Sequence, residues 1–505
     1  MGGKGIIVTV DLGTTNCKSV AINHDGEVIA SASEEVSLIS PREGWYQQDP
    51  NEVFNKMIRA IRRVTKKLDN PEDVKLLGFS SQLHGVLILD HEDKVICPLI
   101  PWLDTRSTKE CEAIRRKIDS YEIYKRTGCR ISCQYVLPKV MWFRNRYPEK
   151  SGEICKIFSP KDYAIYMLSG ISVTDYSIAS GTQLFNLSKM DWDEELLSLA
   201  GISRGVLPDI VSGEKIVGEV KPEISEAMGL HKGIEIIVGV GDAQAQTLGL
   251  GVTKTGKASC NIGTSSALRV ASNKLIIDKS HECRFFAYMI IPGLWMLGGA
   301  AGTTGAVLRW FRDNFGACEM ELSKFLNMSP YEIMDLEAQR SQAGSSNLIF
   351  IPYFTGMMYP YANPNIKGAL IGLSLSHKRA DIVRSVMEGA AFSVKLILQV
   401  LEEQEIKIDE IRLGGGGARS RIWPQIFADV LGKKIVTTHT QENTALGIAI
   451  LGLRSLRPRK NIDEIAEEIV RPVKCYTPNE KHRRVYERGF ELFKEYCKIF
   501  GGYSP

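Results

Sequence analysis

The distribution of apolar and polar residues along the chain predicts alternating strands and helices. Near the start, a β-branched run from Ile6 to Val10 leads to Asp11, turns through a Gly-Thr-Thr-Asn tip, and returns as a second apolar run from Ser19 to Ile22. Such a pattern predicts a hairpin with a polar tip. Apolar residues at helical spacing predict helices over residues 51–68, 108–118, 138–147 and 160–168. The front half is therefore expected to have an α/β fold.

Polar and glycine-rich segments interrupt these elements. They predict a strand, a loop and a second strand over residues 76–90, a polar loop over 174–182, and a glycine-rich helix start over 298–305.

The back half of the chain repeats the opening pattern. Residues 234–242 have the pattern of a buried strand that ends in Gly241-Asp242, and residues 258–270 predict a second hairpin with a Gly-Thr-Ser-Ser tip. A long helix over 381–404, a strand and glycine loop over 411–420, and a helix over 421–431 are expected after it. Two halves that each open with a polar-tipped hairpin predict a duplicated domain with a cleft between the copies. We expect the boundary near residues 251–257.

The composition narrows the class of protein. A chain of 505 residues, 44% hydrophobic and 24% charged, indicates a folded protein of roughly two to four domains. Its net charge of +4 gives no reason to expect a nucleic-acid partner. The sequence shows neither a secretory signal nor an apolar run long enough for a membrane span. Eleven cysteines without Cys-x-x-Cys spacing, and histidines without metal-ligand spacing, indicate buried thiols and no zinc site in a cytoplasmic protein.

The tip of the first hairpin has the donors that a phosphate chain requires. Gly13 allows the backbone to approach a ligand closely, while Thr14, Thr15 and Lys18 supply hydroxyl and N–H donors and a positive charge. Asp11 ends the strand beside them and is expected to hold a phosphate-bound Mg²⁺, a hard ion that prefers oxygen ligands. An ordinary hairpin with an acidic residue beside its turn would have the same sequence.

Two features of the back half favour phosphoryl transfer from a nucleotide. The glycines from Gly414 to Gly417 leave room for an adenosine to lie on the backbone, and the helix after Ser420 is expected to present free N–H groups, unless the segment is merely a flexible loop. Asp242 ends its strand between small residues, where a single carboxylate could accept the proton of an attacking hydroxyl. It could also be the N-cap of a helix over residues 243–250, and both roles can hold together.

The loop over residues 81–85 is the candidate sugar site. Gln82 and His84 lie in a polar loop between apolar strands and could hydrogen-bond sugar hydroxyls, although a single histidine is as often structural. Other side chains could wall a polyol site or be packed in the core: Trp45, Trp102, Asp104, Arg106 and Gln134.

A series of motifs spread over nearly the whole chain carries a family resemblance. The most specific are residues 368–373 and 381–388, and further motifs occupy residues 11–15, 241–242, 262–264, 415–420 and 442–447. In content and order they resemble the motifs of the FGGY carbohydrate kinases. The resemblance implies an α/β protein of two ribonuclease-H-like (actin-like ATPase) domains, residues 1–252 and 253–505, which close on ATP and a sugar in a catalytic cleft.

The resemblance also implies roles for individual residues. Asp242 would be the general base on the sugar hydroxyl, and Asp11 would bind Mg²⁺. With the residue pattern, it gives the candidate nucleotide and phosphate ligands Gly13, Thr14, Thr15, Lys18, Gly263, Thr264, Gly305, Gly415, Gly416, Gly417 and Ser420. The candidate sugar ligands are Gln82, Leu83, His84, Trp102, Arg106, Gln134 and Asp242.

The identity of the sugar rests on a few short segments. The loop from Ser81 to Gly85 resembles that of xylulokinases, with Leu83 in place of a methionine, so we expect D-xylulose to be phosphorylated to D-xylulose 5-phosphate. Residues 102–106 and 174–180 are also similar to gluconate kinases, which makes gluconate the alternative acceptor, with Arg106 as the cation for its carboxylate.

Three further points concern a departure from the family motifs, an alternative function and the assembly. Met357-Met358 stand where both groups of kinases have Glu-Arg, which bears on the identity of the sugar. A non-catalytic actin-like nucleotide or sugar sensor is a distant alternative function. A homodimer is the assembly that the resemblance would imply.

Overall fold

The computed structural model describes residues 5–501 and consists of two α/β halves, each built on a large mixed β-sheet. The first four and last four residues of the expected domains lie outside the described residues. Between residues 5 and 501, no helix combines the length and the apolar content needed to cross a membrane.

The elements of the first half alternate between strands and helices. The strands are β1 (Ile6–Leu12), β2 (Asn16–Ile22), β3 (Val28–Glu35), β4 (Ile39–Arg42), β5 (Trp45–Gln47), β6 (Val74–Ser81), β7 (Val86–Leu89), β8 (Val95–Ile100), β9 (Lys156–Phe158), β10 (Val173–Asp175), β11 (Phe185–Asn186), β12 (Asp191–Trp192), β13 (Asp209–Val211), β14 (Ile216–Glu219) and β15 (Glu235–Gly241). The α-helices are α1 (Pro50–Thr65), α2 (Thr108–Lys117), α3 (Ser120–Thr127), α4 (Val136–Arg146), α5 (Pro160–Ser169), α6 (Tyr176–Ser180), α7 (Glu194–Ala200), α8 (Pro222–Met228) and α9 (Asp242–Gly249).

The second half has fewer strands and longer helices. The strands are β16 (Gly256–Ile262), β17 (Ser265–Ser272), β18 (Phe286–Ile291), β19 (Leu294–Thr303), β20 (Ile349–Ile351), β21 (Ala369–Ile371), β22 (Ile408–Gly414), β23 (Lys434–Thr438) and β24 (Pro472–Tyr476). The α-helices are α10 (Gly305–Phe315), α11 (Ala317–Leu326), α12 (Pro330–Ala338), α13 (Arg379–Glu403), α14 (Trp423–Leu431), α15 (Asn443–Leu456), α16 (Ile462–Ile469) and α17 (Arg483–Gly501).

The two large sheets share one strand order, which confirms the predicted duplication. The first sheet runs β14-β15-β6-β1-β2-β3 and the second runs β18-β19-β17-β16-β22-β23-β24. In both, the opening hairpin is antiparallel and its first strand pairs in parallel with a later strand, β6 in the first half and β22 in the second. The strands β3-β2-β1-β6-β15 therefore correspond to β19-β17-β16-β22-β23.

Helix α15 of the second half packs against the first sheet, beside β1 and β6. Its Gly452 lies beside Ile7 of β1. It also crosses α9 very closely, because a Cβ on Gly447 would lie 1.8 Å from the carbonyl oxygen of Ala245, and one on Gly249 would lie 1.7 Å from that of Asn443. The two halves are thus joined by a pair of helices whose backbones touch.

The strongly periodic helices lie where the sequence predicts them. The helices predicted over 51–68, 108–118, 138–147, 160–168, 381–404 and 421–431 correspond to α1, α2, α4, α5, α13 and α14. For α1 the local reason is clear: Asp49 caps the helix by accepting from the N–H of Asn51, and Pro50 occupies the first turn. Its Val53, Met57 and other apolar side chains at helical spacing are buried.

The segment predicted as a polar loop over residues 174–182 is not a loop. It forms the end of β10 and the helix α6, and most of it is buried. Its charged group has partners within the protein: Asp175 accepts from the N–H of Ser177 at 2.6 Å and lies 2.9 Å from the Lys161 ammonium. The Thr174 hydroxyl is buried without a hydrogen bond to any described residue. Polar composition suggested solvent exposure, and the buried ion pair removes that requirement.

The glycine-rich segment over residues 298–305 is also assigned differently. Instead of opening a helix there, the chain continues β19 to Thr303, and α10 begins only at Gly305. The reason is close packing in the sheet, since a Cβ on Gly298 would lie 2.1 Å from the carbonyl oxygen of Leu268 on β17. The cysteines are all free, but Cys318 and Cys475 are exposed and not buried as expected.

Candidate active site

The carboxyl ends of the parallel strands β1, β6 and β15 meet at one edge of the first sheet. Asp11 lies opposite Ser80 there, and Gly241 lies opposite Ser81. Asp11 lies near the end of β1 and Asp242 directly follows β15. Because β6 lies between these two strands, the strands are about 10 Å apart. Ligands of open α/β sheets bind outside this edge.

Asp242 is the first residue of α9, and Gly241 is its N-cap. The alternative in which Asp242 itself is the N-cap is therefore wrong by one residue, since the extended backbone ends at Gly241. The Asp242 carboxylate accepts from the N–H of Ala243 at 2.7 Å and lies at the positive end of the helix. The N–H of Gly241 donates to the hydroxyl of Ser177 at 2.8 Å, which ties this strand end to α6.

An arginine that the sequence analysis missed controls the charge of Asp242. Burial raises the pKa of Asp242, and the guanidinium of Arg269 opposes that shift. Arg269 Nη1 donates to Gln246 Oε1 at 2.9 Å and to Asn261 Oδ1 at 3.3 Å. Arg269 is therefore held between α9 and the second hairpin, where it favours the charged form of Asp242.

Asp11 meets the requirements of the expected Mg²⁺ site. Burial, and then the charge of Asp242, raise the pKa of Asp11 to about 7, and the Ser80 hydroxyl and the Lys18 ammonium act in the opposite direction. Its Oδ1 is buried without a hydrogen bond to any described residue. No cluster of three or more metal-ligating side chains occurs within residues 5–501. Mg²⁺ needs no such cluster, because it keeps several waters and uses one or two carboxylates together with substrate phosphates.

A ring of hydrogen bonds joins the first hairpin to the candidate sugar loop, residues 81–85, called the sugar loop below. Thr14 Oγ1 donates to Gln82 Oε1 at 2.9 Å, Gln82 Nε2 donates to Gln48 Oε1 at 2.8 Å, and Gln48 Nε2 donates to the carbonyl of Thr14 at 3.0 Å. The indole N–H of Trp102 also donates to Thr14 Oγ1, at 3.3 Å. Gln48 was missed by the sequence analysis, because a glutamine in a polar segment before α1 gives no distinctive signal.

The other residues of the first tip differ in their surroundings. Gly13 donates its N–H to the carbonyl of Asn16 at 3.0 Å, and Thr15 is exposed. Lys18 is paired across the two halves, with its Nζ 2.6 Å from Glu442 Oε1 at the start of α15. This pair lines a pocket of about 190 Å³ together with Asp11. The Lys18 ammonium has three N–H donors, so its pairing with Glu442 leaves donors for a phosphate.

The second half contains a cavity of about 770 Å³ at the corresponding sheet edge. This volume lies within the range of small-molecule and nucleotide sites. The cavity is lined by the second hairpin tip, the starts of α10 and α14, α12 and the glycine loop, including Gly263, Thr264, Gly305, Arg309, Tyr331, Glu332, Asp335, Gly416, Gly417 and Ser420. Gly305 cannot be replaced without a shift, because a Cβ there would lie 2.2 Å from the carbonyl oxygen of Gly263.

Two of the predicted nucleotide ligands lie differently from the rest. Gly415 does not line the cavity and packs against the backbone of Ile262. The Ser420 hydroxyl donates to Asp335 Oδ1 at 2.7 Å and accepts from the N–H of Trp423 at 2.9 Å. The N–H groups at the start of α14, which were expected to be free, are therefore partly occupied by Ser420.

His84 has the chemistry of a neutral hydrogen-bonding side chain. Its Nδ1 lies 2.6 Å from the carbonyl oxygen of Gly181, so Nδ1 carries the proton and Nε2 is left as an acceptor. Burial lowers the pKa of His84 to about 3, and its ring packs edge-on against Tyr135 and Tyr288. Such a ring can accept a hydrogen bond from a sugar hydroxyl. Of its neighbours, Leu83 is buried.

Arg106 lies in a buried ion pair. Its Nε lies 2.9 Å from both carboxylate oxygens of Asp104, Nη2 donates to the carbonyl of Tyr46, and the side chain is 2% exposed. The guanidinium also lies over the rings of Trp45 and Trp142. Gln134 is half-buried just before α4.

Two repeated α/β halves, an acidic sheet edge and a nucleotide-sized cavity are together typical of a two-domain protein that binds a nucleotide. Residues 6–249 match the model of the N-terminal domain of the FGGY family of carbohydrate kinases, and residues 258–456 match that of its C-terminal domain. The chain therefore belongs to the FGGY family, and it is an ATP-dependent sugar kinase.

The similar proteins are named as kinases of two different substrates, gluconate and xylulose. The gluconokinase of Bacillus subtilis is 33% identical over 96% of this chain and 94% of its own length, and the xylulose kinase of the same organism is 26% identical over 97% and 96%. A crystal structure of gluconate kinase from Lactobacillus acidophilus has a TM-score of 0.91 at 28% identity, covering 99% of this chain and 100% of that one. The ligand-bound xylulose kinase from L. acidophilus has a TM-score of 0.90 at 28% identity, with the same coverage.

Proposed function

We propose that Asp242 accepts the proton of a sugar hydroxyl while that oxygen attacks the γ-phosphorus of ATP. A new O–P bond forms, the bond from the γ-phosphorus to the β–γ bridging oxygen breaks, and ADP leaves. The observation that carries this proposal is the meeting of Asp242 and Asp11 at one sheet edge, close enough for one charge to alter the pKa of the other. A base with a raised pKa retains the abstracted proton more readily at neutral pH.

Asp11 is the residue that would hold Mg²⁺ in this proposal. The ion, when bound, would neutralise charge on the phosphates. The two hairpin tips supply the other donors: Thr14 and Thr15 in the first half, and Gly263 and Thr264 in the second. The cavity lined by Gly416 and the start of α10 would hold the adenosine.

For the acceptor we propose D-gluconate. The supporting observation is identity over nearly the whole chain: two gluconokinases from Bacillus are 33% and 31% identical to it, against 26% and 28% for the xylulose kinases of B. subtilis and Escherichia coli. The carboxylate partner is not assigned to Arg106, because that side chain is already paired with Asp104.

D-Xylulose is the second candidate acceptor, for two reasons. The Gln82-Leu83-His84-Gly85 loop resembles that of xylulokinases. In addition, two cations next to this loop are already engaged: Arg106 by Asp104, and Lys139 by backbone carbonyls. An uncharged sugar would need no free cation.

The deciding experiment measures ADP release from Mg-ATP with D-gluconate, D-xylulose, D-ribulose, L-ribulose, glycerol and erythritol. The wild type is compared with Asp242→Asn and, as a control, with Asp25→Asn, which removes an exposed carboxylate far from the sheet edge. We expect kcat/KM to be highest for D-gluconate. We expect Asp242→Asn to lose at least about a hundredfold in kcat, in line with the loss of general-base catalysis.

The possible results separate the parts of the proposal. Turnover of D-xylulose alone would replace gluconate with the second candidate. Turnover that survives Asp242→Asn would show that another group is the base. Nucleotide binding without turnover of any acceptor would favour the sensor interpretation over a kinase.

A further inference from the structure

Lys139 of α4 is a buried cation that the proposed reaction does not use. It is 1% exposed, and the nearby carboxylate of Asp104 is paired with Arg106. Its Nζ instead donates to backbone carbonyls: those of His84 and Pro101 at 2.8 Å, and that of Ile100 at 3.5 Å. Burying an ammonium without a carboxylate partner costs free energy. We therefore ask what the contacts of Lys139 with these carbonyls hold in place.

The carbonyls that Lys139 binds belong to the two segments that carry the candidate sugar ligands. His84 has a positive φ of 64°, so its carbonyl lies at the sharpest point of the sugar loop. Pro101 directly precedes Trp102, the indole of which reaches Thr14. The two segments adjoin the pair Val86–Ile100 of β7 and β8, and Lys139 connects them beyond that pair, through the carbonyls of His84 and Pro101.

We propose that Lys139 is a positioning residue for the sugar acceptor, which sets the distance between the His84 loop and the segment from Pro101 to Arg106. The inference rests on the proposed sugar site. It assigns to Lys139 a large effect on acceptor affinity and a small one on ATP affinity, because the nucleotide cavity is lined by the other half of the chain.

The electrostatic surroundings give this role a pH dependence. Burial lowers the pKa of Lys139 to about 7, and Asp104 and the thiols of Cys133 and Cys97 oppose the shift, while Arg106 adds to it. The neighbouring His84 is neutral in this range. Glu110, on the adjacent α2, accepts from Asn145 and is not among the groups that shift Lys139. Above pH 7 the amine loses its charge and its hydrogen bonds to the carbonyls weaken.

The test compares KM for the acceptor with KM for ATP in wild type, Lys139→Met and Lys139→Arg. Losing charge-assisted hydrogen bonds to two loops should raise the acceptor KM about tenfold or more in Lys139→Met. The KM for ATP should stay within about twofold, since a remote site adds no coupling. Lys139→Arg retains donors and should recover part of the acceptor affinity. Lys395→Met is the matched control, because Lys395 is a largely buried lysine on α13 of the other half.

A pH series on the wild type adds a measurement that does not depend on how well the variants fold. In wild type the acceptor KM should rise between pH 6 and pH 8.5 while the KM for ATP changes differently, and in Lys139→Met the acceptor KM should lose that rise. Equal changes in both KM values, or a folded Lys139→Met with unchanged acceptor KM, would overturn the inference. If no acceptor is turned over by wild type, the proposed sugar site fails and the inference fails with it. Turnover with a flat acceptor KM rejects the role of Lys139 alone.

Discussion

At Asp11 the folded chain keeps a carboxylate where burial and a second carboxylate oppose its charge. Its folded-state pKa of about 7 lies above the ordinary value of 3.8. The folded state therefore holds this proton more tightly, and the resulting stabilisation is present at low pH and lost as the pH rises through about 7. Stability given up at this position is consistent with a residue kept for binding a cation.

Because the buried charge of Asp11 is unfavourable, we expect Asp11→Asn to stabilise the protein in the absence of divalent cations. A shift of this size corresponds to at most about 4 kcal/mol at pH 8, and to much less at pH 5. Urea unfolding of wild type and Asp11→Asn in EDTA at both pH values measures the difference. A variant that is equally stable at pH 8, or is stabilised more at pH 5, would contradict the buried-carboxylate argument.

At the buried ion pair of Arg106 and Asp104, we expect a substitution to destabilise the protein. Removing the arginine alone leaves Asp104 buried without its cation, so Arg106→Met should lower the free energy of unfolding by about 3–5 kcal/mol. Thermal or urea unfolding measures the loss, and adding Asp104→Asn to Arg106→Met should restore part of it. A loss below about 1 kcal/mol would mean that the pair behaves as an exposed one. An increase in gluconate KM for Arg106→Ala would therefore be ambiguous without this stability measurement.

At the scale of elements, the crossing of α9 and α15 is the tightest contact between the halves. Since a Cβ on Gly447 would lie 1.8 Å from the Ala245 carbonyl, Gly447→Ala must separate the helices. We expect a loss of more than about 3 kcal/mol, the upper end of overpacking effects. The control is Gly152→Ala, where an added Cβ meets nothing within 4 Å and should change stability by less than about 0.5 kcal/mol. Equal stabilities of the two variants would show that the crossing can relax.

The elements also show where sequence patterns succeed and where they stop. The hairpins and the amphipathic helices were predictable, because their periodicity directly reflects which face is buried. The helix α6 was not, because its polarity is neutralised by Lys161, a residue from a different element. The extent of β19 was missed for a similar reason, since the glycines at its centre are explained only by the backbone of β17 beside them.

The residues of the candidate site also fall into two groups, those that the sequence reveals and those that only the fold reveals. Asp11, Asp242 and the glycine loop are visible in sequence because their chemistry lies in short motifs. Gln48, Lys139 and Arg269 act through residues distant in the chain, and single glutamines, lysines and arginines carry no local signal. Their roles follow only from the contacts that the fold creates.

At the scale of the whole molecule, we expect that the first half does not fold without the second. Helix α15 covers part of the first sheet, so a fragment ending at residue 252 would expose that apolar face. We expect residues 1–252 expressed alone to bind the dye ANS strongly and to aggregate, and co-expression with residues 253–505 to restore a compact complex. A monomeric fragment with cooperative unfolding and no dye binding would show that the first half is complete without α15.

The placement of α15 also has a consequence during protein synthesis. The last residues of α9 leave the ribosome about two hundred residues before α15, an interval of roughly 10–40 s at ordinary translation rates. Throughout that interval the nascent first sheet lacks its cover near Ile7. During this interval the uncovered apolar surface can associate with other nascent chains on the same mRNA. We therefore expect chaperones to bind mainly to nascent chains that end between residues 249 and 456.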